Sequence, residues 1–302
     1  MFYRPRNLYT LKYLLGKAEK SGYAVGAFSP RCTPVIRSIF WAGQRTQSPI
    51  LVQICQPELD WYKISIGQFA QEFWDLFVSE NVTVPVGLHL DHTHSIEQIK
   101  EAISYGFTSV MIDASMLPFA ENAAITGEVV EYAHARGVSV EAELGKIGSA
   151  DKFETENDEE LFTEPQEAAE FARLTGVDAL AVSVGTAHGV YTVQQPRVDV
   201  ERIKAIRALT PVHLVLHGGS GTPKEQIQAA IHLPTGGISK LNVATDLELA
   251  LLRSLGIPER LTNEALKALP EERLTAALEA VESVVEDKIV NYLGSNRHSV
   301  DY

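Results

Sequence analysis

Three histidines each closely follow an apolar run of the sequence: His92 in "LDHTH", His188 in "VGTAHG" and His217 in "VLHGGSG". Three neutral imidazoles that leave one coordination position open make a catalytic site of the zinc type. A single histidine of this kind is more often a structural residue whose hydrogen bonds are made within the fold. At equivalent ends of different strands, however, the three together favour a metal site. Because they lie far apart in the chain, this interpretation depends on the fold.

Carboxylates accompany these histidines. Asp91 directly precedes His92, so it could act on a metal-bound substrate as a general acid or base, or else orient an imidazole. Asp113 and Glu143 end two neighbouring apolar runs. They could hold a second cation or a shifted position of the first, or they could make ordinary hydrogen bonds.

Backbone donors form a third group of candidates. The segments "HGGSG" (217–221) and "NVAT" (242–245) follow the last two apolar runs. Loops at these places in a barrel often bind phosphate through amides at a helix N-terminus. Gly218 and Gly219 would let the backbone approach a ligand closely, and Ser220 could add a hydroxyl.

Eight strand-like runs must position these residues, and helix-like segments alternate with them. The runs cover residues 23–28, 49–54, 86–91, 108–113, 138–144, 179–184, 213–218 and 239–244. This pattern predicts an α/β fold, a closed (β/α)8 TIM barrel, with an open doubly wound sheet as the alternative. Polar residues follow strand after strand, which favours the barrel, since an open sheet collects them at one switch point.

The helical predictions rest on apolar spacing near 3.6 residues and on caps. Segments 95–106, 121–137 and 165–176 are typical of helices, and Ser95 precedes the first of them. A further helix is expected over 9–20, where it would close the barrel floor.

More helices are expected over 259–294, after the barrel. The acidic stretch 147–165 suggests a mobile lid, or else an inert solvated insertion. No linker divides the chain, so a single domain over residues 1–302 is predicted.

Composition excludes several classes of function. The chain of 302 residues has a net charge of -13, which argues against nucleic acid and anionic membranes as partners. No apolar run approaches the roughly 20 residues of a membrane span, and the charged N-terminal segment is unlike a signal peptide. Two cysteines are too few for a disulfide scaffold. A cytoplasmic location is therefore predicted.

A divalent metal beside a phosphate site and an acid/base carboxylate suits a phosphorylated substrate whose carbonyl must be polarised. Stabilising an enediolate in this way is the central need of aldol cleavage. Isomerisation, epimerisation and hydrolysis stay open at this point.

The blocks "HLDH", "GFTSVMIDAS", "LPFAEN", "GVSVEAELG", "TGVDALAV", "GTAHG", "LHGGSG" and "KLNVATDLELA" resemble, in order, those of class II, metal-dependent ketose-bisphosphate aldolases. The resemblance covers roughly residues 10 to 295. It implies Zn²⁺ held by His92, His188 and His217, and Asp91 as the acid/base at the C4 hydroxyl of a sugar phosphate. It also implies a homodimer or homotetramer.

Further roles follow from the same resemblance. Asp113 and Glu143 match a second, non-catalytic metal position, for another divalent or a monovalent cation. The matches to the dihydroxyacetone phosphate contacts are Gly189, Gly218, Gly219, Ser220, Asn242, Val243, Ala244 and Thr245.

This chain departs from the family pattern at several positions. The family loop usually reads like "GGxED", whereas this chain reads "GSADK", which places Asp151 at the catalytic glutamate and Ser149 at a glycine. Ser29 stands where the family has Asn, and Cys55 where it has a serine near the substrate phosphate.

The substrate therefore stays open between fructose-1,6-bisphosphate, tagatose-1,6-bisphosphate and a modified ketose 1-phosphate. The rival hypotheses are a metal-dependent hydrolase and a non-catalytic subunit.

Overall fold

The computed structural model describes residues 5–147, 162–189 and 196–302. Eight parallel strands form a closed barrel in which each strand pairs with the next and β8 pairs with β1. The strands are β1 (Val25–Phe28), β2 (Ile50–Cys55), β3 (Val86–Thr93), β4 (Ser109–Ile112), β5 (Ser139–Leu144), β6 (Ala179–Val182), β7 (His213–Leu216) and β8 (Ile238–Val243). The predicted TIM barrel is confirmed, and the open sheet is excluded.

Helices surround this barrel. They are α1 (Leu11–Ser21), α2 (Ile36–Thr46), α3 (Gln56–Tyr62), α4 (Ile66–Ser79), α5 (Ile96–Ser104), α6 (Phe119–His134), α7 (Pro165–Thr175), α8 (Val200–Leu209), α9 (Lys224–Ile231), α10 (Thr245–Leu255), α11 (Asn263–Lys267) and α12 (Glu271–Asp287). A π-helical turn, Lys288–Leu293, continues α12. In the described parts of the chain, every helix falls short of the length or the apolar character needed to cross a bilayer.

The first helix closes the floor of the barrel, as predicted. Leu11, Leu14 and Leu15 of α1 are fully buried and belong to one apolar cluster with inward-facing strand residues such as Leu51 and Val215. This apolar layer removes water from the lower half of the barrel interior. Ionisable residues of the inner face such as Asp91 and Glu143 lie above this layer, toward the ends of their strands.

Alternation along the strands places the polar side chains inside. In β3, Leu88 and Leu90 belong to the apolar layer between the strands and the helices. Since successive side chains of a strand point to opposite faces, His89 and Asp91 point into the barrel. Both are buried there. The charged candidates thus project from the inner face near the carboxyl ends of the strands.

Local capping fixes where the flanking helices begin and end. The Ser95 hydroxyl accepts a hydrogen bond from the amide of Gln98 and starts α5, as predicted. Gly176 ends α7 with a positive φ of 66°. After the barrel, α12 packs against α2 and α10, so the helices predicted over 259–294 cover one side of the barrel.

Candidate active site

The three histidines singled out in the sequence meet at the mouth of the barrel. Nε2 of His92 lies 2.8 Å from Nδ1 of His217 and 3.2 Å from Nε2 of His188, and the third pair of nitrogens is 3.4 Å apart. His92 belongs to β3, while His188 and His217 follow β6 and β7. The closed barrel therefore brings together ring nitrogens from distant parts of the chain.

Two of these rings have their other nitrogen fixed by a carboxylate. His92 Nδ1 lies 2.8 Å from Asp113 Oδ2, and His217 Nε2 lies 2.9 Å from Glu141 Oε1. A carboxylate only accepts, so these nitrogens donate and the facing nitrogens of the neutral rings carry lone pairs. Two lone pairs this close repel each other unless a cation lies between them.

The donor set therefore fits zinc. Zinc–imidazole bonds of about 2.0–2.1 Å in tetrahedral geometry put ligand nitrogens roughly 3.3 Å apart, and the three distances found here bracket that value. Without a metal, burial lowers the pKa of His92, but Asp91, Asp113 and Glu143 raise it to about 10. The carboxylates that would hold a proton on this ring favour a divalent cation for the same electrostatic reason.

Asp91 lies beside the three histidines as an ionised carboxylate. Gln53 Nε2 donates to its Oδ2 at 3.1 Å, and Asn242 Nδ2 donates to the same oxygen at 3.1 Å. Burial would raise the pKa of Asp91, but Lys240 and then His92 hold it well below its ordinary value. A carboxylate in this state can accept a proton from a substrate hydroxyl.

Beneath Asp91 lies a group of buried charges that the sequence reasoning missed. Lys240 Nζ lies 2.7 Å from Glu141 Oε2, 3.3 Å from His89 Nε2 and 3.7 Å from Asp91 Oδ1. Alternation along the strands was the signal for these residues. Lys240 lies two residues before Asn242, Glu141 two before Glu143 and His89 two before Asp91, so the members of each pair share the inner face.

Asp113 and Glu143 also face the site. Asp113 bonds to His92 and accepts from the Ser115 hydroxyl at 2.7 Å, so it orients an imidazole. Glu143 Oε2 lies 3.8 Å from His217 Nδ1, and no described residue donates a hydrogen bond to this oxygen. Burial and the neighbouring Asp113 raise the pKa of Glu143 to about 8. Together with His92, the two carboxylates could also hold an ion.

The two predicted phosphate loops lie side by side. Gly219 donates its amide to the carbonyl of Asn242 at 3.0 Å, and the Ser220 hydroxyl accepts from the amide of Asp246 at 3.1 Å. Gly218 has a φ of 69°, and a Cβ there would lie 2.3 Å from the carbonyl oxygen of Ala187. A side chain at this position is therefore excluded, and the backbone itself faces the cavity.

A cavity of about 480 Å³ joins these groups. The predicted site residues that line it are Asp91, His92, Asp113, Glu143, His188, Gly189, Gly218, Gly219, Ser220, Asn242, Ala244 and Thr245. His217 is buried directly below. Val243 is not brought to the cavity: its side chain packs in the core and its carbonyl accepts from the amide of Ser29. Asp151 and Ser149 lie outside the described residues.

The remaining histidines do not join the three at the mouth. His94 is at the rim, where its Nδ1 lies 2.6 Å from the carbonyl oxygen of Asp113. His134 pairs with Asp178. Three others lie away from the mouth: His213 beside Glu19, His232 at the end of α9 and His298 beside Asp301.

Two of the positions that depart from the family pattern, Ser29 and Cys55, lie on one wall of the cavity. The Ser29 hydroxyl accepts from Gln53 Nε2 at 3.3 Å, and Cys55 pairs in register with Asp91. Helix α3 begins directly after Cys55 and was not expected from the sequence. It brings Glu58 and Trp61 to the same side of the cavity.

Comparison with known proteins agrees with this geometry. The family model described as fructose-bisphosphate aldolase class-II matches residues 9–298. Fructose-bisphosphate aldolase of Giardia intestinalis is 37% identical (98% of this chain, 95% of that protein), and that of Staphylococcus epidermidis is 38% identical (96% and 99%). Among solved structures, the YdjI aldolase of Escherichia coli K12 aligns with a TM-score of 0.81 at 30% identity, over 97% of this chain and 99% of that one.

Proposed function

Since the chain belongs to the class II fructose-bisphosphate aldolase family and is an aldolase, a carbon–carbon lyase, we propose that it cleaves a ketose phosphate to dihydroxyacetone phosphate and an aldehyde in a zinc-dependent reaction. One observation carries this proposal. Three imidazole nitrogens converge within 3.4 Å of one another, and the ionised Asp91 and two amide-rich loops line the same cavity. A hydrolase and a non-catalytic subunit find no support in these relatives.

His92, His188 and His217 would hold the zinc ion. When bound, zinc supplies a Lewis acid that polarises the ketose carbonyl. By bonding to one ring nitrogen each, Asp113 and Glu141 keep the opposite nitrogens of His92 and His217, which would bind the metal, turned toward one point. The binding of a second cation by Asp113 and Glu143 stays a prediction.

Asp91 takes the proton of the C4 hydroxyl while the C3–C4 bond breaks. Its charge is maintained by the buried Lys240, and the amides of Gln53 and Asn242 hold the carboxylate in place. Because both amides donate, they stabilise the ionised form, which is the form that accepts a proton.

The phosphate of the dihydroxyacetone half would lie on the loops after β7 and β8. Gly218, Gly219 and Ser220 offer close backbone approach and a hydroxyl, and the N-terminus of α10 begins at Thr245 beside them. Amides at a helix N-terminus attract anions without a charged side chain. Gly189 and Ala244 line the same end of the cavity.

Asp151 is proposed as the loop acid that returns a proton to the dihydroxyacetone half, a role that rests on the resemblance alone. A homodimer or homotetramer and a cytoplasmic location likewise stay predictions.

Asp91→Asn tests the role of the base, because it keeps the shape of the side chain and removes its charge. We expect dihydroxyacetone phosphate release to fall about 10²–10⁴-fold while zinc content stays at the wild-type level. Activity within threefold of wild type would contradict the assignment.

A further inference from the structure

The position of Asp91 defines which wall of the cavity contacts the aldehyde half of the substrate. If Asp91 takes the hydroxyl proton from the first carbon of that half, the rest of it must lie close by. Gln53 links Asp91 to Ser29, and Cys55 pairs in register with Asp91. We call the lining residues on this side, which are Ser29, Arg31, Cys55, Glu58 and Trp61, the aldehyde wall.

Arg31 is the cation of the aldehyde wall, and each of its three guanidinium nitrogens already makes a hydrogen bond within the protein. Its Nε lies 2.9 Å from Glu58 Oε1, Nη1 contacts Glu248, and Nη2 lies 3.3 Å from Thr245 Oγ1. The residue has a positive φ of 61° and is only 9% exposed. A strained, buried backbone position of this kind is kept only where surrounding contacts hold it. A ligand in the cavity would have to compete with Glu58, Glu248 and Thr245 for the guanidinium.

The two acids that bind Arg31 complete a closed group of charges. Glu58 also accepts from the Cys55 amide at 3.2 Å. Glu248 also accepts from the Tyr62 hydroxyl, and from Arg260 Nε at 2.8 Å. Two arginines and two glutamates therefore neutralise one another, and the wall offers no spare positive charge.

A terminal phosphate on the aldehyde half would be poorly accommodated here. A dianion that leaves water needs charge-assisted donors in return, and it would lie near the carboxylates of Asp91 and Glu58. Among the described lining residues, the only other permanently cationic side chain is Lys146. It is exposed and follows β5, two strands round the barrel from Asp91.

The aldehyde wall suits a neutral chain of hydroxyl groups instead. Ser29 supplies a hydroxyl, and the indole of Trp61, which is 51% exposed, supplies an apolar face at the rim. We propose that the aldehyde half of the substrate is an unphosphorylated polyhydroxy aldehyde, so that the chain acts on ketose 1-phosphates. This inference rests on the proposed function, because it takes Asp91 as the base at C4.

Aldol condensation with matched acceptors tests the inference. Dihydroxyacetone phosphate would be offered to the zinc-loaded protein with aldehydes of three to six carbons, each with and without a terminal phosphate. Both enantiomers of glyceraldehyde and of its 3-phosphate would be included. We expect kcat/KM to favour the unphosphorylated member of the best pair at least tenfold.

Proton exchange separates this inference from the proposed function. The exchange of the C3 proton of dihydroxyacetone phosphate with D2O needs no aldehyde, and NMR measures it directly. If exchange is observed but phosphorylated acceptors are preferred, or unphosphorylated acceptors do not react, the inference is wrong and the proposed function stands. No exchange at all would overturn the proposed function itself.

Glu58→Gln tests whether this wall sets the preference. The amide keeps an acceptor for the Cys55 amide but removes one of the charges that neutralise Arg31. We expect the efficiency ratio of phosphorylated to unphosphorylated acceptor to rise at least fivefold. Glu72→Gln, a change in an ion pair with Lys267 on the outer surface, is the matched control. An equal ratio in both variants would refute the role of the aldehyde wall.

Discussion

Lys240 Nζ lies 2.7 Å from Glu141 Oε2, and both side chains are completely buried inside the barrel. Glu141 in turn accepts a hydrogen bond from the His217 ring, so it links Lys240 to a proposed zinc ligand. It also faces Asp91 at 3.7 Å. The charge of Lys240 therefore compensates two carboxylates: Glu141, which orients a proposed zinc ligand, and Asp91, the proposed base.

Lys240→Met should destabilise the protein strongly, because it leaves two buried carboxylates without their cation. We expect a loss of about 3–5 kcal/mol in the free energy of unfolding. The control is Lys267→Met, which breaks a partly exposed ion pair and should cost about 0–1 kcal/mol. Urea denaturation measures both, and equal losses would contradict the importance of the buried pair.

His92 and His94 should differ in their effect on the metal. His92 points at the other two histidines, whereas His94 bonds to a backbone carbonyl at the rim. His92→Ala should therefore remove zinc and activity, while His94→Ala should keep zinc content near normal. Metal analysis of the purified variants decides the matter, and similar zinc loss in both would refute this division of roles.

Gly218→Ala should damage the phosphate loop. A Cβ at this position would lie 2.3 Å from the carbonyl oxygen of Ala187, in addition to the cost of a positive φ, about 1–2 kcal/mol. We expect KM for the sugar phosphate to rise at least tenfold. Gly22→Ala is the matched control, since Gly22 has a φ of 74° and a Cβ added there would meet no other atom within 4 Å. Gly22→Ala should destabilise the protein through the same backbone conformation but leave KM unchanged. A similar change of KM in the two variants would contradict the assignment of the phosphate loop.

Glu248 should contribute to stability in a pH-dependent way. Burial raises its pKa, but Arg260 and then Arg31 lower it below the ordinary 4.5. Because the folded pKa is depressed, the stabilisation is fully present above pH 4.5 and is lost as the pH falls through the folded value. Glu248→Gln should therefore cost about 1–3 kcal/mol at pH 7, and the difference from wild type should shrink below pH 4.5.

Denaturation at pH 7, 5.5 and 4 would measure this difference. The exposed Glu259→Gln is the control and should change stability by less than about 0.5 kcal/mol. A Glu248→Gln difference that is constant over this range, or that grows toward low pH, would contradict the electrostatic explanation.

The sequence predicted the barrel and the meeting of His92, His188 and His217 at its mouth, because apolar runs and the polar residues that follow them are local patterns. Apolar runs indicated all eight strands, and polar residues such as Asp91 and His217 stood at their carboxyl ends, where a barrel collects its active site. Closure of the barrel then placed these ends around one mouth.

The missed features depend on contacts between distant segments. Lys240 and Glu141 lie 99 positions apart, and nothing local shows that they pair. Arg31 meets Glu248 across 217 positions in the same way. The short helix α3 was not predicted because its seven residues directly follow β2 without a loop. Alternation within β3, β5 and β8 was nevertheless a usable signal for the inner-face charges.

Dihydroxyacetone phosphate release, measured by a coupled assay together with zinc content on the same sample, tests the central claim most directly. Fructose-1,6-bisphosphate, tagatose-1,6-bisphosphate and the corresponding 1-phosphates would each be supplied. We predict about one zinc per three-histidine site and release from at least one ketose phosphate, which a chelator abolishes and added zinc restores. Release that persists in a zinc-free, chelated sample would contradict the assignment of His92, His188 and His217 as the catalytic metal site.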